Sequence, residues 1–313
     1  MARSSALSLS EFLKTRKKEL LLLGEFEAIQ AGREEEGMRI LISLAKELKE
    51  EGTPVGNIIR INKEGITVWG VNVALGEQDE NTIGVDLSSF PCFIWARDEA
   101  EERKVLIGEP LVVQGGFLKG KRIISLTTPV FYQGRFNGII IANFLIEELA
   151  KKYIEPLGLS PKTHYTILSE KGTVITSTFK ELIGKNILQI QEEKNWPEDS
   201  KALVRRALRG EEEAIRHSFI NVLSGETSKA ISAYSPAKID GSFWSVWVSV
   251  PYGEIEKLIL PFRQNQIFAL IVVLGGTLVL AAIYVLGMRV SQKDGFLNGY
   301  YQARGRRGKN KKS

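Results

Sequence analysis

The most restrictive feature of the sequence is a run of 22 residues, 267–288, without one ionisable side chain. A helix rises about 1.5 Å per residue, so this run covers roughly 30 Å, the thickness of the hydrocarbon core of a bilayer. Arg263 and Arg289 flank the run, and Tyr284 lies near one end, at the depth where aromatic side chains collect. We therefore predict one transmembrane helix, at residues 266–289.

The positive charge of the chain is concentrated behind this helix. The formal net charge is +5, and the stretch from Arg304 to the end, RGRRGKNKKS, holds six basic residues and no acidic one. Basic segments beside a membrane helix stay on the cytoplasmic side. We expect residues 290–313 to form a basic cytoplasmic tail and the preceding region to lie outside the cell. The basicity belongs to the tail, so it predicts no nucleic-acid partner.

The N-terminal region has a helical pattern. Apolar residues recur at helical spacing between residues 8 and 50, and Ser8 with Glu11 matches a capping box at the helix start. Gly32 and Gly37 weaken the middle of this long predicted helix. Its length leaves two interpretations open: it lies along its own domain, or it packs against a second copy and forms a homodimer.

A second pattern begins after Gly52, where short apolar runs alternate with glycine turns. Three pairs of turn or strand-breaking residues share one separation of 107 residues: Gly65 and Gly172, Pro129 and Pro236, Gly134 and Gly241. A shared offset with matching strand patterns on both sides indicates a duplicated module of about 100 residues. Hairpins are predicted within residues 58–69, 122–144, 165–176 and 231–250. The fold class is therefore α+β, with a long N-terminal helix and two tandem antiparallel-sheet modules before the membrane helix.

Three segments carry a resemblance to a known family. They are VDLSSFPCFIWA at residues 85–96, LTTPVFYQGRFNGIIIANF at 126–144, and SAYSPAKIDGSFWSVWVSVPYGEI at 232–255. Their order and spacing resemble the double Cache sensors of bacterial and archaeal transmembrane receptors, from residue 9 to about residue 289. The resemblance implies two PAS-like modules outside the cell between two transmembrane helices, with a small-molecule ligand in the membrane-distal module.

This resemblance fixes the predicted division of the chain. The parts are a long N-terminal helix (1–51), a membrane-distal PAS-like module (52–158), a membrane-proximal PAS-like module (159–265), a transmembrane helix (266–289) and a basic tail (290–313). In the family, output comes from chemoreceptor, histidine-kinase or cyclic-dinucleotide domains. Only 25 residues follow Met288, too few for such a domain, so we expect the output domain to be lost or to reside on a separate partner protein.

The start of the chain leaves two arrangements open. Export of an N-terminal domain needs a signal, and the four leucines at 20–23 are too short a core for one. Either a first transmembrane helix lies upstream of Met1, or the sensor faces the cytoplasm. We favour the upstream helix because the resemblance implies a domain between two helices.

The resemblance also suggests the ligand site. A subset of the family recognises amino acids through an Arg-x-Trp-Tyr stretch and a later Asp. The matching positions here are Phe90, Cys92 and Phe93, with Asn143 in the Asp position, so no cation or carboxylate is ready to hold a zwitterion. We therefore expect a small neutral ligand that is not a free amino acid. The predicted ligand-binding residues are Phe90, Phe93, Trp95, Ser125, Thr127 and Asn143.

The six candidates differ in how strongly each one indicates a ligand site. Plain core packing is the alternative interpretation for each aromatic residue. Asn143 is more informative, because an amide between Ile141 and Phe144 needs a buried partner or a ligand.

Other functions find little support in the sequence. Two histidines, one cysteine and no HExxH or CxxC spacing predict no metal, no cofactor and no enzymatic activity. Residues 115–122 nearly match a phosphate-binding loop, but Arg122 replaces the hydroxyl residue and a strand follows, so we predict a hairpin turn. The alternative function is a membrane-tethered ligand-binding or scaffold protein without signalling output.

The apolar run gives the first testable prediction. The full chain should partition into membranes, whereas a fragment of residues 1–262, which lacks the run, should be soluble. Fractionation of expressing cells followed by detergent extraction checks both. Recovery of the full chain in the soluble fraction without detergent would contradict the membrane assignment.

Overall fold

A computed structural model describes residues 1–101, 103–157, 160, 162–220, 227–239 and 241–309. The predicted module boundary at residue 159 and the last four residues of the tail, 310–313, lie outside this part of the chain. The chain divides into two compact units, residues 1–252 and the segment that begins at Gly253.

The N-terminal region contains three helices instead of the single predicted one. They are α1 (Ala2–Glu25), α2 (Glu27–Ala31) and α3 (Glu34–Glu50). Phe26 has extended backbone angles and separates α1 from α2, and Gly32 ends α2 in the left-handed conformation. The capping box at Ser8 is wrong: α1 begins at Ala2, so Ser8 lies inside the helix.

The first sheet has seven antiparallel strands. They are β1 (Val55–Ile61), β2 (Thr67–Asn72), β3 (Glu77–Gln78), β4 (Leu106–Ile107), β5 (Leu111–Val112), β6 (Arg122–Tyr132) and β7 (Arg135–Leu145). The order is β3-β2-β1-β7-β6-β4, and β5 also pairs with β6. Helix α4 (Pro91–Asp98) lies in the connection before β4, and α5 (Ile146–Tyr153) follows β7. The two hairpins predicted in this range are confirmed.

The second sheet has five antiparallel strands. They are β8 (His164–Ser169), β9 (Val174–Ser177), β10 (Glu213–Ile220), β11 (Thr227–Ile239) and β12 (Ser242–Pro251), in the order β10-β11-β12-β8-β9. Helices α6 (Ile187–Glu193) and α7 (Glu198–Ala207) connect β9 to β10. The β8–β9 and β11–β12 hairpins confirm the predicted pattern, and the α+β class is confirmed with them.

Helix α1 packs against both sheets. The Ser10 hydroxyl donates a hydrogen bond of 2.5 Å to the Lys238 carbonyl of β11. The Phe12 ring lies edge-on to Phe144 of β7, with 5.7 Å between the ring centroids. Buried residues of α1, α3 and both sheets accordingly belong to one apolar cluster. The two sheets therefore share a core, and α1 is the element common to them.

A buried arginine ties α2 to the first sheet. Arg60 of β1 is 2% exposed, and its guanidinium donates to the carbonyl oxygens of Ile29, Asn137 and Ile61. Burial lowers the pKa of Arg60 to about 10, so the group stays charged at neutral pH. The three carbonyls supply the polar partners that a buried cation requires.

The approach of Arg60 depends on Gly138 of β7. Gly138 has a φ of 106°, and a Cβ at this position would overlap the Ile61 carbonyl oxygen and crowd the Arg60 guanidinium. Glycine alone avoids both the strained backbone and the overlap.

Gly138→Ala should therefore destabilise the fold by at least about 3 kcal/mol, since strain and overlap add. Gly134→Ala is the matched control: its φ is 72° in the same hairpin, but nothing lies within 4 Å of its Cβ position. The control should lose only about 1 kcal/mol. Urea unfolding of the full chain in detergent measures both, and equal losses would refute the close-approach argument.

The second unit is helical. Helix α8 (Tyr252–Lys309) runs through the predicted membrane segment without a break, with Pro261 inside it. Its part Tyr252–Val285 is long and apolar enough to cross a membrane, by length and composition. The predicted bounds 266–289 thus fall within a longer helix that begins directly after β12.

Candidate functional site: a cavity on the first sheet

A cavity of about 440 Å³ lies on the first sheet, on the face that α1 does not cover. Successive residues of a strand point to opposite faces. In β6, Ile124 and Leu126 belong to the shared core, whereas Ile123 and Ser125, which alternate with them, line the cavity. The floor consists of Asn57, Ile59, Ile123, Ser125, Ile141 and Asn143. Residues of segments 82–92 and 111–118 form the cover.

A chain of three polar side chains crosses the floor. The Ser125 hydroxyl donates to Asn143 Oδ1 at 2.6 Å, and Asn143 Nδ2 donates to Asn57 Oδ1 at 2.8 Å. Asn143 is the cross-strand partner of both residues, which explains why the three side chains meet. The sequence required a buried partner or a ligand for the Asn143 amide, and two protein side chains, Ser125 and Asn57, are its partners. Within the described chain, the Asn57 Nδ2 group has no hydrogen-bond acceptor and remains available at the cavity.

Two further polar groups of the lining shape its chemistry. The Thr67 hydroxyl is buried and has no hydrogen-bond partner among the described residues. Asp86 is exposed at the edge of the cavity, where hydrogen bonds from Ser88 hold the pKa of its carboxyl below the ordinary value. No lysine, arginine or histidine is among the described lining residues. The cavity thus offers donors from uncharged groups inside and one carboxylate outside.

The six sequence-predicted residues divide into two groups. Phe90, Ser125 and Asn143 line the cavity. Phe93, Trp95 and Thr127 are not among its lining residues. Phe93 is 1% exposed and contacts Phe136 at 5.9 Å, and Trp95 packs against the same apolar cluster. Core packing, the alternative interpretation for these aromatics, describes Phe93.

Other lining residues did not stand out in the sequence. Asn57 is a polar residue within an apolar run, the same signal that singled out Asn143, and could have been found by it. Thr67 and Asp86 carry no comparable signal. The glycines at 115 and 116 also line the cavity. Their segment joins β5 to β6 as a hairpin, which confirms the prediction of a turn in place of a phosphate-binding loop.

A family model described as the Cache domain matches residues 1–259. The chain belongs to the Cache domain family. A comparison with curated proteins gives no match.

Several solved structures share the Cache fold of this chain. The periplasmic sensory domain of the Campylobacter jejuni chemoreceptor Tlp1 is 15% identical with a TM-score of 0.56, over 80% of this chain and 93% of that one. The ligand-binding domain of the Pseudomonas fluorescens chemoreceptor CtaA, solved with L-serine, is 14% identical with a TM-score of 0.56, over 79% and 92%. That of the Pseudomonas aeruginosa amino-acid chemoreceptor PctC, solved with GABA, is 15% identical with a TM-score of 0.54, over 79% and 94%. At these identities the likeness establishes the fold.

Cys92 is the single cysteine of this Cache domain, and it lines the cavity. Burial raises the pKa of its thiol, and the Thr127 hydroxyl offsets this in part. The thiolate is the reactive form, so the folded protein should react slowly at neutral pH.

We expect alkylation of Cys92 by iodoacetamide at pH 7.5 to be at least about tenfold slower in the folded chain than in urea. Intact-mass spectrometry counts the adduct without ambiguity because one cysteine is present. The rate in the folded chain should rise with pH beyond the range in which the unfolded rate levels off. Equal rates in the two states would show that the thiol is neither buried nor shifted.

Proposed function

We propose that the chain is the extracytoplasmic small-molecule sensor region of a signal-transducing membrane receptor, and that the cavity on the first sheet holds its ligand. The observation that carries the proposal is a cavity of about 440 Å³ with apolar walls and a few convergent polar groups, the mixture typical of ligand sites. It occurs in a Cache domain whose chain continues into a helix long enough to span a membrane.

The lining favours a ligand without a carboxylate. CtaA and PctC were solved with L-serine and GABA, and both of these molecules carry a carboxylate. A buried carboxylate needs a cation or several donors, and the described lining has no cation. The Asn57 amide and the Thr67 hydroxyl suit an uncharged oxygen acceptor such as a carbonyl. We therefore propose a small neutral, partly apolar ligand and not a free amino acid.

The remaining parts of the proposal concern topology and partners. The basic tail, residues 290–313, lies in the cytoplasm by its charge, and the two sheets lie outside. Two chains associate through α1, on which the apolar side chain of Leu22 is 60% exposed, together with Phe26 directly after the helix, which is 49% exposed. Output passes to a separate protein. Crosslinking of the membrane-embedded chain through cysteines placed at Leu22 tests the dimer.

Asn143→Leu should abolish ligand-induced thermal stabilisation, because it breaks the polar chain on the cavity floor and removes an amide. The wild type should gain about 2.7 kcal/mol at a ligand concentration of 100 times Kd. Thermal shift against a panel of neutral metabolites, amines, amino acids and carboxylates finds the ligand and measures the gain of each variant relative to its own unliganded state.

Gln191→Leu provides the matched control for this experiment. Gln191 is also a buried amide, 1% exposed against 7% for Asn143, and its Nε2 group donates to the Ser200 carbonyl oxygen in the helices beside the second sheet. It should lose stability without losing the ligand-induced gain. A ligand that stabilises Asn143→Leu as much as wild type would show that the cavity is not its site. A strong carboxylate ligand would overturn the proposed ligand class.

A further inference from the structure

The second sheet also has a cavity, and its chemistry differs from that of the first. Its volume is about 60 Å³, room for a few water molecules and far less than the first cavity. Both histidines of the chain, His164 and His217, line it, together with Trp196 and Trp247. The two imidazole rings therefore lie at one small cavity. Apart from the amino terminus, they are the only groups in the sequence whose ordinary pKa lies between 5 and 8.

His217 is held at both ring nitrogens. Nδ1 lies 2.8 Å from the Ser218 carbonyl oxygen, and Nε2 lies 2.7 Å from the Ser232 hydroxyl. A carbonyl oxygen only accepts, so Nδ1 carries the proton of the neutral ring and Nε2 is the acceptor. The tautomer of His217 is therefore fixed by its surroundings.

The hydrogen bonds continue from His217 across the sheet. The Ser232 and Ser249 hydroxyls are 2.6 Å apart, and Trp247 Nε1 donates to Ser249 at 2.9 Å. Ser232 uses its one hydrogen on His217, so Ser249 must donate to Ser232 and accept from the indole. The relay therefore has one direction, from Trp247 through Ser249 and Ser232 to His217. Both serines are buried, at 4% and 0% exposure, which removes water as an alternative partner for Ser232.

We propose that this relay is a proton-binding site through which the second sheet responds to acidification. A proton from solvent binds Nε2 of His217, which then donates to Ser232 in place of accepting from it. Ser232 turns its hydrogen toward Ser249. Ser249 now accepts from both neighbours, and its own hydrogen turns toward the cavity that it lines, where a water molecule accepts it. Proton uptake thus reverses two hydroxyls and hydrates the cavity.

Burial is the largest influence on the pKa of His217, ahead of the surrounding charges. Asp199 of α7 is the charged group that acts on the pKa of His217. The other charged or titratable groups of the neighbouring elements are Glu198, Lys201, Arg205 and Arg206 of α7, Glu192 and Glu193 of α6, Glu213 and Arg216 of β10, Lys229, Tyr234 and Lys238 of β11, and His164 and Tyr165 of β8. Lys201 is paired with Glu192 and with Glu198. Burial lowers the pKa of His217 below its ordinary value of 6.5, although the Ser218 carbonyl and Asp199 oppose the shift. Burial also lowers the pKa of His164.

The lowered pKa of His217 determines how the stability of the fold changes with pH. The folded chain binds the proton less readily than the unfolded chain, whose histidines titrate near 6.5. The contribution of His217 to stability is therefore complete above pH 6.5 and declines as the pH falls toward the lowered folded pKa. The site lies on β10–β12, and β12 leads directly into α8, so the response arises in the strand that precedes the membrane helix.

The test is a histidine-selective NMR titration of the full chain in detergent, purified with a tag that contains no histidine. Two histidines give two sets of ring signals, and His164→Gln leaves His217 alone. We expect His217 to show a protonated Nδ1 and a bare Nε2 at pH 7.5 and to titrate below pH 6.5. A midpoint at or above 6.5, or the opposite tautomer, would overturn the proposal.

Two serine variants separate the relay from general burial. Ser232→Ala removes the hydroxyl that accepts from Nε2 of protonated His217, a charge-assisted bond stronger than the one it donates to the neutral ring, so proton affinity should fall by about two- to tenfold. Ser245→Ala is the control, since Ser245 is an equally buried serine of β12 whose hydroxyl has no described partner. It should leave the titration unchanged. An unchanged midpoint in Ser232→Ala would show that the relay does not govern His217.

A signalling role for the His217 proton site rests on the proposed sensor function. The titration of His217 can be measured independently of that function. Thermal shift with the ligand of the first cavity can be measured on the same serine variants. A normal titration without any ligand response would count against the proposed function alone, and a normal ligand response with an unshifted His217 would count against the proton site alone.

Discussion

The apolar core that α1 shares with both sheets is the constraint on which the rest of the first unit depends. A five- or seven-stranded sheet has two faces and must bury at least one. Here one helix supplies part of that cover for both sheets, so neither sheet completes its core without it. Hydrophobic burial is the dominant favourable term in folding, and its sharing couples the two sheets into one cooperative body.

The shared core also explains where polar groups are tolerated. The face of the first sheet that packs on the helices is mostly apolar; its buried polar side chains include Arg60, whose charge is held by three carbonyls, and Thr128, whose hydroxyl donates to the Lys104 carbonyl. The opposite face has no helix of comparable length to fill it, so a cavity remains under a cover of loops and α4. The hydrogen bonds between Asn57, Ser125 and Asn143 satisfy most of their polar groups there and leave the Asn57 Nδ2 group at the cavity. The same face can therefore fold stably and still leave a cavity.

The sequence predicted the elements that depend on interactions between residues close together in the chain. The hairpins and the apolar helix follow from alternation, turn residues and length, and all are found. The break at Phe26 was missed because its neighbours have good helical propensity, and the break follows from packing of α2 and α3 against the sheet. Ser8 matched a capping box, yet the helix continues past it to Ala2 because residues before Ser8 also bury apolar side chains.

The candidate site was predicted only in part, for a related reason. Ser125 and Asn143, which the resemblance suggested, both line the cavity, because the β6–β7 register brings their side chains to the same face of the sheet. Phe93 and Trp95 lie on a short helix, where the direction of a side chain depends on how the helix docks. The segment 111–118 reaches the cavity through long-range pairing that spacing does not reveal.

The placement of α1 has a consequence for building chimaeric Cache domains. Ser10 contacts the second sheet, and Arg3 pairs with Glu212 directly before β10, whereas Phe12 contacts the first sheet. The sequence order of the sheets is thus the reverse of their order along α1. A transplant of the second sheet that begins at residue 159 would leave behind the first third of α1, with its half of the interface. A functional exchange has to carry two separate segments, the beginning of α1 and the second sheet, and modules of this family should therefore recombine as whole domains more readily than as halves.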